Sequence, residues 1–279
     1  MSYDIPLREF DMSRVKNTNM CAFIGKRNTG KSFLIRDLLF HHKDLPLGTV
    51  LSGTEAANGF YCNMVPELFI HHDYSPEVLH NVVRRQAIMK YKLDEKPGSL
   101  DPRAFLIMDD LMHDSRKWIK DTNVKMLFFN GRHWDLLFLL SMQSPLAIPP
   151  ELRANIDFVF LMREPNYSNR KRLYEHYAGM FPSFESFCSA MNSCTQDYGC
   201  LVIDNTCRTN NIEHMCFWYK AKAHSDFRVG SAQFWDVKRN QELRRQRRES
   251  MIAEPSEDVG RKNSKKYSVR KIENNKGYT

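Results

Sequence analysis

Apolar runs and helical periodicities succeed one another along this chain, and together they predict an α/β fold. Residues 20–24, 104–108 and 136–142 form short runs that are apolar almost throughout. A strand buried on both faces of a parallel sheet has this composition, whereas a half-exposed strand alternates apolar and polar residues. Between the runs, apolar residues recur at the spacing of a helix. We therefore expect a mostly parallel central sheet with helices on both faces.

Capping and turn signals place the remaining elements. Ser75 and Pro76 form a strong helix start, because serine caps the first turn and proline fits its first position. Residues 52–63 are polar and contain two glycines, which predicts a loop. Further helices are predicted at 31–42, 114–129, 166–178 and 183–191. Further strands are predicted at 49–51, 68–70, 158–161, 200–204 and 214–219, the last two as a hairpin.

A glycine-rich stretch separates the first predicted strand from the first predicted helix. Residues 25–32 match G-x-x-x-x-G-K-[ST], the pattern of a phosphate-binding loop. Between a strand and a helix, such a loop can turn its N–H groups and the helix N-terminus towards a polyphosphate. We expect Lys31 to reach the β- and γ-phosphates and the Ser32 hydroxyl to bind Mg²⁺. A glycine turn before a core helix is the alternative. The predicted nucleotide-binding residues are Gly25, Lys26, Arg27, Asn28, Thr29, Gly30, Lys31, Ser32 and Phe33.

Polar side chains end two of the predicted strands. Asp109 and Asp110 follow the run 104–108, and Gln143 follows the run 136–142. The carboxyl ends of parallel strands share one sheet edge, which is where α/β proteins bind ligands. We expect Asp109 beside Mg²⁺, Asp110 activating a water, and Gln143 holding that water or sensing the γ-phosphate. The predicted cofactors are thus ATP and Mg²⁺. The alternative is that the acids begin a loop and the glutamine closes a turn.

Charge is unevenly distributed along the 279 residues. The formal net charge is +8, and residues 235–279 hold thirteen Lys/Arg against seven Asp/Glu. We divide the chain into a lead-in (1–18), a P-loop domain (19–234) and a basic, disordered tail (235–279). A basic tail indicates an acidic partner such as nucleic acid, but a merely soluble end has the same composition.

Other features exclude several classes of protein. No apolar run has the length that a membrane-spanning helix needs, and the N-terminus lacks the charged and apolar regions of a signal peptide. We therefore expect an intracellular protein. The seven cysteines form no C-x-x-C pair and fit no usual zinc spacing, which predicts free thiols.

Four stretches together resemble the genome-packaging ATPases of nucleocytoplasmic large DNA viruses, within the FtsK–HerA superfamily of DNA pumps. They are residues 25–32, 105–110, 130–133 and 140–143. The resemblance implies a P-loop NTPase three-layer sandwich of the RecA-like additional-strand type. It also implies an oligomeric ring that drives double-stranded DNA, without sequence preference, into a capsid. Capsid or inner-membrane virion proteins are then expected partners, and the host cytoplasm and the virion are the expected locations.

The resemblance also implies roles for individual residues. Lys31 and Ser32 would contact nucleotide and Mg²⁺, Asp109 the metal, Asp110 would be the catalytic acid and Gln143 the sensor. Arg132 would be an arginine finger that reaches the γ-phosphate on a neighbouring subunit. Its alternative is a surface arginine at the end of the helix before it.

The chain departs from the wider superfamily at one position, because many members have Asp-Glu where this chain has Asp-Asp. The shorter side chain of Asp110 weakens its assignment as the base. Two further readings stay open, a P-loop kinase and an ATP-switched nucleic-acid-binding protein. A kinase needs an arginine-rich lid, for which Arg163, Arg170 and Arg172 are a weak match. Candidate DNA contacts are Arg116, Lys117, Lys120, Lys238, Arg239, Arg244, Arg245, Arg247 and Arg248.

Overall fold

The computed structural model describes residues 5–98, 100–111 and 115–253. In this part of the chain, nine strands form one sheet. The strands are β1 (Arg8–Glu9), β2 (Met20–Ile24), β3 (Gly48–Ser52), β4 (Ile70–His71), β5 (Ala104–Asp109), β6 (Leu136–Met142), β7 (Phe158–Leu161), β8 (Gly199–Asp204) and β9 (Cys216–Lys220). Their order across the sheet is β1-β9-β8-β7-β2-β6-β5-β3-β4.

Helices connect most of these strands. They are α1 (Lys31–His41), α2 (Glu55–Asn58), α3 (Pro76–Glu95), α4 (Ser115–Trp118), α5 (Thr122–Asn130), α6 (Pro150–Arg153), α7 (Tyr167–Tyr177), α8 (Phe184–Cys194), α9 (Ile212–Met215) and α10 (Val237–Ala253). None of the helices in the described ranges is both long and apolar enough to cross a bilayer.

The six strands from β7 to the edge strand β4 are all parallel. Strand β6 lies between β2, which precedes the glycine loop, and β5, which carries the acids. The loop strand and the acidic strand are therefore separated by one strand, as the additional-strand type requires. The predicted α/β class with a mostly parallel sheet is confirmed.

Apolar side chains pack on both faces of the sheet. Along β2, Ala22 and Ile24 belong to one buried cluster, and Cys21 and Phe23 belong to the other. Successive side chains of a strand point to opposite faces, so a strand that is apolar throughout serves both layers. Helices α3, α5, α7 and α8 supply the first cluster, and α1 supplies the second. This arrangement is a three-layer sandwich.

The sheet extends beyond its parallel part at one side. Strand β8 pairs antiparallel with β7, and β9 pairs antiparallel with β8, which confirms the predicted hairpin. From the described residues of the lead-in, 5–18, the two-residue β1 joins the sheet parallel to β9.

Four predicted elements differ from the structure. The strand predicted at 68–70 is a 3-10 turn, Glu67–Phe69, followed by the two-residue β4. The helix predicted at 114–129 is two helices, because Asp121 has an extended backbone and caps α5 by accepting a hydrogen bond from the Asn123 N–H. The loop at 52–63 contains α2. The last strand begins at Cys216 rather than at 214, because Asn211 caps α9 immediately before it.

Helix α10 begins the segment predicted as a disordered tail. Arg244 forms an ion pair with Glu67, and Arg247 Nη1 donates to the Leu68 carbonyl oxygen over 3.3 Å. The start of this segment is therefore a helix that contacts the region before β4. Residues 254–279 lie outside the described residues, and the division of the chain into domains stays a prediction.

Candidate active site

The glycine loop is shaped by two close backbone constraints. The Gly25 N–H donates to the Met142 carbonyl oxygen over 3.1 Å, and a Cβ on Gly25 would lie 2.4 Å from Met162 Cβ. Gly25 is therefore enclosed on the side of β7. Gly30 has a φ of 95°, in the region that favours glycine, and Asn28 has a φ of 60°. Two of the three residues 28–30 are therefore left-handed, and they turn the loop back over the start of α1.

Lys31 occupies the centre of the loop. Its Nζ donates to the Gly25 carbonyl oxygen over 2.8 Å and to that of Lys26 over 2.9 Å. Burial lowers the pKa of Lys31, and the charges of Asp109 and Asp110 oppose that change. As the first residue of α1, Lys31 also stands beside helix N–H groups that have no carbonyl partner within the helix. The Lys31 ammonium and the N–H donors of the first turn of α1 therefore lie side by side.

Asp109 ends β5 in a buried position. Only 3% of the residue is exposed, and its Oδ2 accepts a hydrogen bond from the Tyr61 hydroxyl over 2.9 Å. Burial raises the pKa of Asp109, and the Tyr61 hydroxyl and the charge of Lys31 oppose this shift without reversing it. The Asp109 carboxyl is therefore easier to protonate than that of an exposed aspartate.

Asp110 and Gln143 meet at the same edge of the sheet. Gln143 Nε2 donates to Asp110 Oδ1 over 2.6 Å, and Asp110 has a φ of 51°. That backbone conformation is uncommon for a residue with a side chain, and it separates Asp110 from the strand direction of Asp109. The structure thus brings Lys31, Asp109, Asp110 and Gln143 together, as the strand-end pattern predicts.

Sequence reasoning missed Tyr61 and Glu55. Glu55 is 4% exposed, and its carboxylate accepts hydrogen bonds from the N–H groups of Tyr61, at 2.9 Å, and of Cys62, at 3.1 Å. Glu55 therefore orients the segment whose tyrosine contacts Asp109. Both residues fall in a stretch without periodicity, where an aromatic pair at 60–61 was the only unusual feature.

A groove borders the loop on the side away from the acids. It has a volume of about 770 Å³ and is lined by Arg27, Asn28, Arg163, Arg170 and Tyr198, among others. The Tyr198 side chain lies beside Gly30, and the residue is 70% exposed. Asp197 and Tyr198 have φ values of 48° and 66°, so two consecutive non-glycine residues adopt the left-handed conformation.

The residues considered as a kinase lid are divided between different contacts. Arg163 and Arg170 line this groove, and Arg170 Nε also donates to the Glu164 carbonyl oxygen over 2.5 Å. Arg172 instead bonds to Asn169 on its own helix, at 3.3 Å. The Glu164 carboxylate pairs with Lys26 of the loop over 2.9 Å.

Arg132 lies at the opposite edge of the sheet. It belongs to the 3-10 turn Gly131–Trp134 that precedes β6, and half of its side chain is exposed. Its guanidinium is 3.4 Å from Asp157 Oδ1, while Asp157 Oδ2 accepts a hydrogen bond from the Met20 N–H at the start of β2. The length of β6 separates Arg132 from Gln143 by roughly 20 Å. Arg132 is therefore not part of the site formed within its own chain.

Known viral proteins are similar to this chain over most of its length. No protein-family model matches the chain. The chain is 37% identical over 241 residues to the uncharacterized protein L437 of Acanthamoeba polyphaga mimivirus, covering 85% of this chain and 84% of that protein. It is 43% identical over 202 residues to the uncharacterized protein 075L of Invertebrate iridescent virus 6, covering 70% and 74%.

Solved structures share the fold. The genome packaging NTPase B204 from Sulfolobus turreted icosahedral virus 2, in complex with ATP-gammaS, matches with a TM-score of 0.52 at 13% identity, over 75% of this chain and all of that one. B204 from Sulfolobus turreted icosahedral virus, a DNA-packaging ATPase, matches with a TM-score of 0.51 at 15% identity, with the same coverage of this chain. This chain belongs to a family of proteins from large DNA viruses that includes L437 and 075L. Its fold is that of the P-loop ATPases that package viral genomes.

The residues of this candidate site fit a nucleoside triphosphate and Mg²⁺. The loop offers N–H groups, Lys31 and the start of α1 to a triphosphate. Mg²⁺ prefers oxygen ligands, and the buried Asp109 carboxylate and the half-buried Ser32 hydroxyl are of that kind. When bound, Mg²⁺ would neutralise negative charge on the phosphates beside these residues.

The candidate DNA contacts fall in two places. Lys117 and Lys120 are exposed at and just after α4, while the Arg116 side chain lies outside the described part of the structure. On α10, Arg239 is exposed and Arg245 pairs with Glu249 over 2.8 Å. The side chains of Lys238 and Arg248 are likewise outside the described part.

Proposed function

We propose that this protein is a motor that moves double-stranded DNA into the viral capsid by hydrolysing ATP with Mg²⁺ in an oligomeric ring. The observation that carries the proposal is the division of the predicted catalytic set between the two edges of one sheet. Lys31, Asp109, Asp110 and Gln143 meet at one edge, and Arg132 lies at the other.

Each step of hydrolysis is assigned to a residue of the site. Asp110 orients a water for attack on the γ-phosphate and accepts its proton, and the hydrogen bond from Gln143 fixes the Asp110 carboxylate. Lys31 leaves the loop carbonyls to which it donates and binds phosphate oxygens instead. Asp109 and Ser32 would hold Mg²⁺ when it is bound. The 2.6 Å contact also makes Gln143 a sensor, because any movement of Gln143 towards the γ-phosphate changes the position of the base.

The position of Arg132 supports a shared site. A head-to-tail ring places one face of each subunit against the opposite face of the next. Arg132 is half exposed and is held by a single ion pair with Asp157, from which it can move to a phosphate of the adjacent subunit. A guanidinium can bind phosphate oxygens with two hydrogen bonds, and in related chemistry such a residue contributes about 10³–10⁵ in rate.

DNA as the cargo is supported by the B204 relatives, whose described role is genome or DNA packaging. A packaging motor holds the phosphate backbone without reading bases, which basic side chains can do. Exposed Lys117 and Lys120 and the basic residues 235–279 are the surfaces proposed for this contact. Capsid or inner-membrane virion proteins are proposed as further partners, at the cytoplasmic assembly site or in the virion.

ATP hydrolysis should be measured with and without long double-stranded DNA, together with native mass. Displacement of a third strand from a linear duplex would report movement along DNA directly. We expect an oligomer whose hydrolysis is stimulated by DNA and whose strand displacement needs ATP, while Lys31→Ala has neither activity. A monomer that is indifferent to DNA and phosphorylates a nucleoside would overturn the motor and favour the kinase reading.

A further inference from the structure

A cluster of metal-ligating side chains lies at the end of α1 opposite the phosphate loop. Asp37, His41 and His224 each offer one ligand atom, and these atoms lie within 4.8 Å of one another. None of these three residues belongs to the candidate nucleotide site. Two of them share one helix and the third comes from the segment after β9.

The helix spacing directs Asp37 and His41 to the same point. Residues four apart on a helix lie on one face, one turn from each other. Asp37 Oδ1 is 3.6 Å from His41 Nε2, so the carboxylate oxygen and the imidazole nitrogen already face each other. The same i,i+4 spacing presents paired metal ligands on helices of other proteins.

The Asp37 carboxylate is fully buried, and its two oxygens have separate partners. Oδ2 accepts hydrogen bonds from the Tyr219 hydroxyl at 2.7 Å and from the Lys222 N–H at 2.9 Å. Among the described residues, the hydrogen-bonding groups next to Oδ1 are the two imidazoles, with His224 Nε2 at 2.6 Å and His41 Nε2 at 3.6 Å. Such outer contacts to the non-coordinating oxygen are what orient a carboxylate ligand in metal sites.

His224 is held in position by packing. Its ring stacks on Phe40 with the ring centroids 3.8 Å apart, and its carbonyl oxygen accepts a hydrogen bond from Arg36 Nη1 over 3.1 Å. The His41 ring lies 6.0 Å from the His224 ring and is nearly perpendicular to it. The His41 side chain is 38% exposed, which leaves one side of the cluster open to water as a fourth ligand.

We propose that Asp37, His41 and His224 bind a divalent transition-metal ion of the Zn²⁺ class. Zinc binds imidazole nitrogen and carboxylate oxygen at about 2.0–2.2 Å, so tetrahedral ligands lie about 3.3 Å apart. The two Asp37–His separations, 2.6 Å and 3.6 Å, lie on either side of that value. Two imidazoles, one carboxylate and one water form a common zinc ligand set, and small side-chain movements produce it here.

The bound ion would fasten α1 to the segment after β9. Helix α1 begins at Lys31, so the ion would join its far end to the chain that follows β9, the strand next to the edge strand β1. Without a metal, the same atoms form only a hydrogen-bonded Asp37–His224 pair beside a separate histidine. The two cases differ in the contribution of His41, because His41 is 3.6 Å from Asp37 and adds little to a hydrogen-bonded pair.

Zinc affinity should be measured on the full-length chain by competition with a chromogenic chelator, in excess Mg²⁺. We expect one Zn²⁺ per chain and a loss of affinity of about tenfold or more in His41→Ala and in His224→Gln. The matched control is His214→Ala, an exposed histidine on α9 outside the cluster. Asp109→Asn is the second control, because its Mg²⁺ site is separate, and neither control should change zinc affinity.

Two further measurements complete the test. Co²⁺ in place of Zn²⁺ should give the visible absorption of a tetrahedral site in the wild type, and His41→Ala should lose it. Zinc at about a hundred times its Kd should raise the wild-type Tm by about 5 °C or more, and that of His41→Ala by much less. Absence of stoichiometric zinc, or equal affinity in wild type and His41→Ala, would overturn the proposal. Neither result depends on whether the protein moves DNA.

Discussion

The two edges of the central sheet are built very differently. At the carboxyl edge, Lys31, Asp109, Asp110 and Gln143 converge, and hydroxyl and amide groups hold the acids in place. At the amino edge, Arg132 stands on an exposed turn and contacts one acid, Asp157. The carboxyl edge is held together by contacts within the chain. The amino edge exposes the Arg132 cation, which a neighbouring molecule could contact.

This difference indicates how a P-loop ATPase can couple hydrolysis to assembly. Under the proposed function, the buried network at the carboxyl edge would hold nucleotide and water within one subunit. A cation at the far edge of the same sheet contributes only when a second subunit is correctly placed. Changes at the carboxyl edge should therefore act within one subunit, and a change at Arg132 should act on its neighbour.

Lys31→Ala should have the largest effect, with hydrolysis falling below detection. Lys31 is the buried cation of the phosphate loop, and the substitution removes its charge. Steady-state phosphate release measures this. Arg27→Ala is a suitable control, since Arg27 is exposed on the same loop, and it should retain most activity. Comparable loss in both variants would show that the loop is sensitive to any change.

Arg132→Ala should reduce hydrolysis by about 10³-fold, at the lower end of the effect of an arginine finger. Nucleotide affinity of the isolated subunit should not change, because Arg132 lies at the end of β6 opposite Gln143, about 20 Å from it. Fluorescent-nucleotide binding and phosphate release separate the two effects. His133→Ala, on the neighbouring exposed position, should behave as wild type.

Asp110→Asn should retain nucleotide binding and lose about 10²-fold or more in hydrolysis, since an amide orients water but does not accept its proton. Single-turnover hydrolysis of pre-bound ATP measures the chemical step. A variant with unchanged single-turnover rate would remove Asp110 from the role of base.

Tyr61→Phe should raise the Mg²⁺ concentration needed for half-maximal hydrolysis by about tenfold, because it removes the hydroxyl that donates to Asp109. Burial raises the pKa of Asp109 and the Tyr61 hydroxyl opposes that rise. Since Mg²⁺ binds the carboxylate, affinity falls as pH falls through this pKa, and the loss should begin at higher pH in Tyr61→Phe. Mg²⁺ titrations at several pH values would show the shift. An identical pH profile in both proteins would contradict it.

Tyr198→Ala should have the smallest effect, raising KM for ATP about fivefold at constant kcat, if its exposed ring stacks on the base in the groove beside Gly30. Tyr198→Phe keeps the ring and should retain the wild-type KM. A change in kcat alone, or equal values for all three proteins, would exclude a stacking role.

The sequence predicts the carboxyl edge well because each of its parts leaves a local pattern. A continuous apolar run ends in a polar residue at Asp109 and again at Gln143, and parallel strands bring those ends together. The loop at 25–32 has its own spacing. The predicted secondary structure is wrong where one side chain overrides the hydrophobic periodicity. Asp121 is such a case, because it caps α5 and divides the predicted helix.

Contacts between distant segments leave no such pattern. Tyr61 reaches Asp109 from a segment that is 48 residues away in sequence and looks like a polar loop. His224 meets Asp37 across 187 residues. The location of Arg132 at the amino edge could be inferred from its place before a strand, but its partner Asp157 could not.

Co-expression of Arg132→Ala and Lys31→Ala subunits tests the shared site most directly. Each variant alone should be inactive, because one lacks the finger and the other lacks the phosphate-binding lysine. In mixed rings, an intact loop of one subunit meets an intact Arg132 of the next, and random mixing should restore at most about one quarter of the wild-type rate. We predict measurable ATP hydrolysis in mixed oligomers purified by two different tags. Mixed oligomers of native mass that remain as inactive as either parent would contradict the account.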